Sequence, residues 1–301
     1  MLYDDMQQLI GNTPLVHLKH SGFPSQIQVY AKLELNNPGG SVKDRIGKYM
    51  IEDAERRGVL VEGGTIVEGT AGNTGLGIAF AALNRGYRLI MVVPSKFSQE
   101  KQALLRALGA EVVNTPREEG MLGAERKAQE LRQSIPKAVS LEQFRNPANP
   151  LAHYETTGPE IWADLGRRVD YFVAGAGSGG TYSGIARFLK EQKPEVKGVL
   201  ADPIGSTIGG GEHGDYDIEG IGNDFIADTM DMSLVDDVIK INDDEAFKEA
   251  RLLARNEGII AGSSSGANLA AIRKLVNRID CGTIVTVLPD RGERYLSKNL
   301  F

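Results

Sequence analysis

One cysteine, Cys281, occurs in 301 residues, which excludes an intramolecular disulfide framework and any zinc site built from several thiolates. Histidine is nearly as scarce. His17, His20, His153 and His213 show no HExxH or other close ligand spacing, so no metal centre is expected. An excess of positive charge is also missing: 40 acidic residues against 34 Lys and Arg give a formal net charge of −6. That balance argues against nucleic acid or an anionic membrane as the main partner. No apolar run is long enough for a membrane span. The N-terminal stretch MLYDDMQQLIGNTPL carries acids where a secretory signal carries basic residues, so a cytoplasmic location is expected. Tandem repeats and low-complexity linkers are absent as well.

What is present is the composition of a soluble globular protein, 41% hydrophobic and 25% charged, in a length that suits two α/β lobes. Short apolar runs alternate with helical patterns along the chain. IQVYAKLEL (27–35) reads as a strand, SVKDRIGKYMIEDAERRG (41–58) as a helix stopped by Gly58, and TIVEG, YRLIMVVP, DYFVAGAG, VKGVLADP and TIVTVLP as strands. Continuous apolar strands separated by helices predict mostly parallel sheets covered on both faces. Residues 204–224 are glycine-rich and read as a long irregular loop. The polar, proline-containing QFRNPANP (143–150) marks a lobe boundary.

Glycine is the abundant residue, 36 in all, and it clusters at three strand-to-helix corners. VEGTAGNTG (67–75) offers Thr70, Asn73 and Thr74 at a helix start, a setting that suits a carboxylate; an Asn helix cap with a tight turn would explain it equally. VAGAGSGGTYSG (173–184) opens backbone N–H groups toward a phosphate. Its Gly175, Gly177 and Gly180 also satisfy GxGxxG, with Asp202 placed to read a ribose, so an NAD-dependent oxidoreductase is the competing account. AGSSSGA (261–267) taken alone is best read as a serine-rich helix cap. Lys43 stands in the first turn of the helix expected from Ser41, with Ser41 and Asp44 at capping-box spacing. The helix field there disfavours an ammonium and favours the neutral amine that a Schiff-base lysine needs. The alternative is a side chain that swings away to Asp44 or solvent.

Together these motifs resemble the cysteine synthase and cystathionine β-synthase family of fold-type II pyridoxal-phosphate enzymes. IGNTPL, NPGGSVKDR, TAGNTG, QFRNPANP, TTGPEIW, GAGSGGT, EGIG, GSSSGA and GERYLS occur in the family's order along nearly the whole chain. The resemblance implies an α/β fold of two lobes, tryptophan synthase β-like, each a mostly parallel twisted sheet flanked by helices. Residues 1–40 and 146–301 would form the larger, cofactor-binding lobe, and 41–145 a smaller mobile lobe that closes on the substrate. The implied cofactor is pyridoxal 5′-phosphate. Lys43 would attach it covalently and later act as the base at the substrate Cα. Gly177, Ser178, Gly179, Gly180 and Thr181 would wrap the cofactor phosphate, Asn73 would bond the pyridine 3′-oxygen, and Ser264 would face the ring nitrogen. Thr70, Ala71, Thr74 and Gln143 would hold the substrate carboxylate, and Gly220 would lie in the loop beside its amino group. The implied reaction is β-replacement on O-acetyl-L-serine or a similarly activated serine. Sulfide as nucleophile gives cysteine and homocysteine gives cystathionine. Ala71 stands where many cysteine synthases carry a serine, and TAGNT with GSSSGA is similar to the bacterial branch that uses homocysteine. The likeness does not extend to the haem segment or regulatory domain of the long cystathionine β-synthases, so control through them is not expected. A homodimer, and docking of a serine acetyltransferase C-terminal peptide, are further family properties that it implies.

Overall fold

The computed structural model describes residues 2–70, 72–95, 98–298 and 300–301. Its strands are β1 (Leu15–His17), β2 (Ile27–Lys32), β3 (Thr65–Gly69), β4 (Arg88–Pro94), β5 (Glu111–Thr115), β6 (Ala138–Val139), β7 (Tyr171–Gly175), β8 (Lys197–Pro203), β9 (Asp237–Ile241) and β10 (Gly282–Val287). Its α-helices are α1 (Lys43–Arg56), α2 (Asn73–Ala81), α3 (Gln99–Ala107), α4 (Gly120–Ser134), α5 (Ala148–Ala152), α6 (Gly158–Leu165), α7 (Gly180–Gln192), α8 (Asp243–Glu257) and α9 (Ser263–Val276). The chain divides into two units, one of Met1–Ile10 with Lys43–Asn149, the other of Gly11–Val42 with Pro150–Phe301.

In the first unit the run RLIMVVP becomes β4, buried at every position after Arg88. A strand apolar on both faces belongs inside a covered parallel sheet. β4 lies there, in a four-stranded sheet of order β5-β4-β3-β6 in which every pairing is parallel. Val67, Ile90 and Val92 pack on Ala124 and Ala128 of α4. α2 is buried along its length from Thr74 to Ala81 and is correspondingly apolar all round. It crosses α1 at backbone distance. A Cβ added at Gly47 would stand 2.4 Å from the Gly77 carbonyl oxygen, and one at Gly77 would stand 2.2 Å from that of Lys43.

The second unit is built on a six-stranded sheet, order β1-β2-β10-β7-β8-β9, parallel except for the antiparallel edge pair β1–β2. α9 is buried over most of its length and packs Leu269, Ile272 and Leu275 with Val173, Val199 and Ile284 of the sheet. α8 starts with a complete capping box, Asn242 with Glu245, and stops at Gly258 in the left-handed conformation. Residues 204–231 contain no strand or helix, as their glycine content predicts. Two mostly parallel sheets flanked by helices are thus the architecture expected from the alternating pattern. Two local expectations change. The strand at Ile27 ends at Lys32, and Glu34–Asn36 turns as a 3₁₀ helix. α1 begins at Lys43 rather than at Ser41, because Ser41 pairs instead as an isolated bridge with Asp290.

Candidate active site

The first unit gathers one group of the expected residues at the start of α2. β3 ends at Gly69, and Thr70, two residues before the helix cap Gly72, is buried. The Thr70 hydroxyl accepts from the N–H of Gly75 (3.2 Å), and its methyl fills the space a Cβ at Gly75 would need. Asn73 is therefore the first residue inside α2 rather than its cap, which overturns the simple Asn-cap account. Thr74 Oγ1 donates to Gln143 Oε1 (2.7 Å), across 69 positions of sequence. Ala71 lies outside the described residues. Lys43, half-buried, opens α1, and its carbonyl lies against Gly77 one turn into α2. One helix pair thus fixes the backbone of Lys43, Asn73 and Thr74, and the field at the start of α2 favours a bound anion.

The second unit presents the loop between β7 and α7. Gly222 N donates to Ala176 O (2.7 Å), Asn223 Nδ2 to Gly177 O (2.9 Å) and Thr229 Oγ1 to Ser178 O (2.5 Å). In a trans peptide the N–H points opposite the carbonyl, so these bonds turn the N–H groups of Gly177, Ser178 and Gly179 to the other side of the loop. Gly179 caps α7 in the left-handed conformation (φ 82°). A Cβ there would stand 2.4 Å from Met230 Cβ, and one at Gly177 would stand 2.6 Å from Gly220 O. Thr181 Oγ1 lies 3.1 Å from His153 Nε2, and His153 Nδ1 is 2.9 Å from Thr157 Oγ1. Ser264 is buried in the first turn of α9. Its neighbour Ser263 accepts from Glu219 N (2.9 Å), which ties the Gly220 loop (φ 89°) to that helix start. The Ser265 and Thr286 hydroxyls are buried with no partner among the described residues. Asn268 bridges Gly175 N (2.8 Å) and Val287 O (2.8 Å), joining β7 to β10 beneath the loop.

His153, Asn223, Thr229 and Asn268 were not singled out from the sequence. Asn268 had a usable signal, a lone amide in the apolar helix SGANLAAI. The others act through partners far along the chain and leave no local pattern. Asp202, the residue the nicotinamide account needs, is buried. Its Oδ2 is bound by Lys240 Nζ (2.5 Å) and Gly209 N (3.0 Å), and its Oδ1 is buried, so neither oxygen is exposed to a ribose.

The sequence profile described as "Pyridoxal-phosphate dependent enzyme" matches residues 6–290, and the chain belongs to that family. It is 48% identical over 298 residues to the O-acetylserine dependent cystathionine beta-synthase of Bacillus subtilis, covering 99% of this chain and 97% of that one. It is 46% identical over 304 residues to a Helicobacter pylori cysteine synthase, covering the whole of both. Among solved structures, O-acetylserine dependent cystathionine beta-synthase from Helicobacter pylori superposes with a TM-score of 0.95 at 45% identity, covering 100% of this chain and 99% of that one. The protein is a pyridoxal-phosphate-dependent enzyme of the β-replacement type, and nothing in these comparisons supports the oxidoreductase.

The residues present fit that cofactor. A glycine loop with inward carbonyl partners at the start of a 13-residue helix suits a phosphate. Buried serine hydroxyls at the start of α9 suit a ring nitrogen that is not to be held protonated. The cradle also predicts a variant. Gly179→Ala should lower cofactor retention by at least tenfold, since the new methyl meets Met230 in a backbone conformation that alanine disfavours. Equilibrium dialysis of the cofactor against the purified variant checks this, and wild-type retention would refute it.

Proposed function

We propose that the chain catalyses β-replacement on O-acetyl-L-serine with a thiol nucleophile: sulfide, giving L-cysteine, or homocysteine, giving L-cystathionine. The observation that carries this is the Thr70–Thr74–Gln143 group at the start of α2, on the helix whose Gly77 locks the backbone of Lys43. When bound, pyridoxal phosphate supplies the electron sink for a carbanion at the substrate Cα. Gly177, Ser178, Gly179, Gly180 and Thr181 hold its phosphate, Asn73 its 3′-oxygen, and Ser264 faces the ring nitrogen. Lys43 carries the cofactor between turnovers and removes the Cα proton. Thr70, Ala71, Thr74 and Gln143 bind the substrate carboxylate, and Gly220 flanks its amino group. Ser264, a hydroxyl and not an acid, would not hold a proton at the ring nitrogen, which would favour expulsion of acetate from Cβ. The TAGNT motif, similar to that of the bacterial branch that uses homocysteine, supports homocysteine as an accepted nucleophile.

In this reading residues 41–145 form the lobe that responds to substrate, while 1–40 and 146–301 hold the cofactor. The protein works as a cytoplasmic homodimer, and a serine acetyltransferase C-terminal peptide is a candidate partner. No helix of the described residues is long and apolar enough to cross a membrane. The test is a product assay with O-acetylserine offered sulfide and homocysteine in parallel, repeated with serine as donor. Cysteine and cystathionine are expected from O-acetylserine. If neither forms while the cofactor is bound, the donor assignment fails.

A further inference from the structure

Glu68 takes part in none of the steps above. It is the fourth residue of β3, buried, and two positions before Thr70. Its Oε1 accepts from three donors of one short segment: Ser140 Oγ (3.0 Å), Glu142 N (3.3 Å) and Leu141 N. That segment runs directly into Gln143. Glu142 adopts φ 51°, a left-handed conformation that a non-glycine residue holds only when its surroundings impose it. The rest of the turn is fixed by Asn146 Nδ2 donating to Leu141 O (2.9 Å) and Asn149 Nδ2 to Gln143 O (2.7 Å). Its outcome is the 2.7 Å contact between Gln143 and Thr74. One carboxylate therefore ties the strand that ends at Thr70 to the turn that carries Gln143.

We propose that Glu68 is a positioning residue for the substrate-carboxylate subsite, holding the Ser140–Glu142 turn so that Gln143 meets Thr74. The inference rests on the reading of Thr70, Thr74 and Gln143 as that subsite. A charged acceptor bonds about twice as strongly as a neutral one, so the turn is tightest when Glu68 is ionised.

Burial pushes the Glu68 carboxyl up to about 7, opposed by the Leu141, Ser140 and Glu142 donors and reinforced by the Glu125 carboxylate on α4. The Glu125 carboxylate on α4 is the charge that acts on it, while Glu142 contributes its backbone N–H. β4 sets Met91 opposite Glu68 and adds no charge. Above pH 7 Glu68 is a carboxylate that accepts strongly. As the pH falls through 7 it takes up a proton, its acceptor strength drops, and the turn loosens. The apparent KM for the amino-acid substrate should therefore rise as the pH falls through that point, with a smaller change in kcat.

The experiment measures KM and kcat of the holoenzyme between about pH 6 and 8.5, bracketing the group's midpoint. Glu68→Ala should raise KM about tenfold, roughly the loss of one charge-assisted bond. Glu68→Gln, which keeps an acceptor of the same shape, should recover part of that loss and flatten the rise in KM below pH 7. Gln143→Ala should raise KM too, and the double variant Glu68→Ala/Gln143→Ala should cost less than the sum. A cofactor-loaded Glu68→Ala enzyme with wild-type KM, or a Glu68→Gln enzyme that keeps the wild-type inflection, overturns the inference. Should Glu68→Ala fail to fold, Glu68→Gln decides alone. If Gln143→Ala and Thr74→Ala both leave KM unchanged, the subsite reading itself has failed. If they raise it while Glu68 variants do not, only the role of Glu68 is lost.

Discussion

Lys43→Ala should reduce turnover by at least about 10³-fold and abolish the visible absorbance of a lysine-bound cofactor, while leaving the fold intact. The two losses have separate origins. Removal of the amine takes away the covalent anchor, and it also takes away the base that receives the Cα proton, a contribution of about 10²–10⁴-fold in itself. Stability should hardly change, because Lys43 is half-buried in the first turn of α1 and alanine is the better helix former there. A small primary amine added to the medium should restore part of the turnover. The measurement is paired: turnover with O-acetylserine and a thiol, and a visible spectrum of the reconstituted variant. Full turnover in a variant with normal circular dichroism would remove Lys43 from the mechanism.

The placement of that lysine shows what the sequence carried and what it did not. NPGGSVKDR marked a lysine at a helix start, and the helix does start there, at Lys43 itself. The shift from Ser41 has a non-local cause, the bridge to Asp290, which no local pattern announces. Apolar runs identified β3, β4, β7, β8 and β10 because a buried parallel strand must be apolar on both faces. α7 opens at Gly180, inside the glycine corner 173–184 that read as a strand-to-helix turn. β1 and β6, of three and two residues, are too short to show a period and exist only because a longer strand pairs with them.

The same division holds at the site. Glycine corners are legible because close backbone approach demands glycine itself, as at Gly179 against Met230. The pattern alone could not separate two phosphate-binding accounts, because GxGxxG and GAGSGGT share their glycines. The fate of Asp202 separates them, and its pairing with Lys240 spans 38 positions. Glu68 had a weak signal, an acid inside an apolar strand, but its meaning depends on a turn more than 70 positions away. A carboxylate kept in such a place, with its charged form disfavoured by burial, also lowers stability at alkaline pH. The folded state binds the proton more tightly than the unfolded chain does, so this contribution is fully present below pH 4.5 and is lost as the pH rises through about 7.

Gly77→Ala should lower kcat about 100-fold and destabilise the protein, although Gly77 touches neither substrate nor cofactor in the proposed mechanism. A methyl at Gly77 would stand 2.2 Å from the Lys43 carbonyl oxygen, 2.5 Å from its carbon and 3.0 Å from Asp44 N. All three are backbone atoms, so no flexible side-chain end can yield, and α1 must move by about an ångström. Overpacking of this kind costs about 1–3 kcal/mol, against about 1 kcal/mol regained from the better helix propensity of alanine. The net loss should appear as a fall of several degrees in Tm. The larger consequence falls on Lys43, since misplacement of a reacting group by about an ångström can cost about 10² in rate. Gly47→Ala supplies the comparison. Its methyl would meet the Gly77 carbonyl at 2.4 Å in the same crossing, but one turn beyond Lys43. A similar loss of Tm with a smaller loss of kcat is expected there. Should Gly77→Ala match wild type in kcat, or should Gly47→Ala lose as much rate, the crossing would be structural packing alone. The helix pair would then have no part in aiming Lys43.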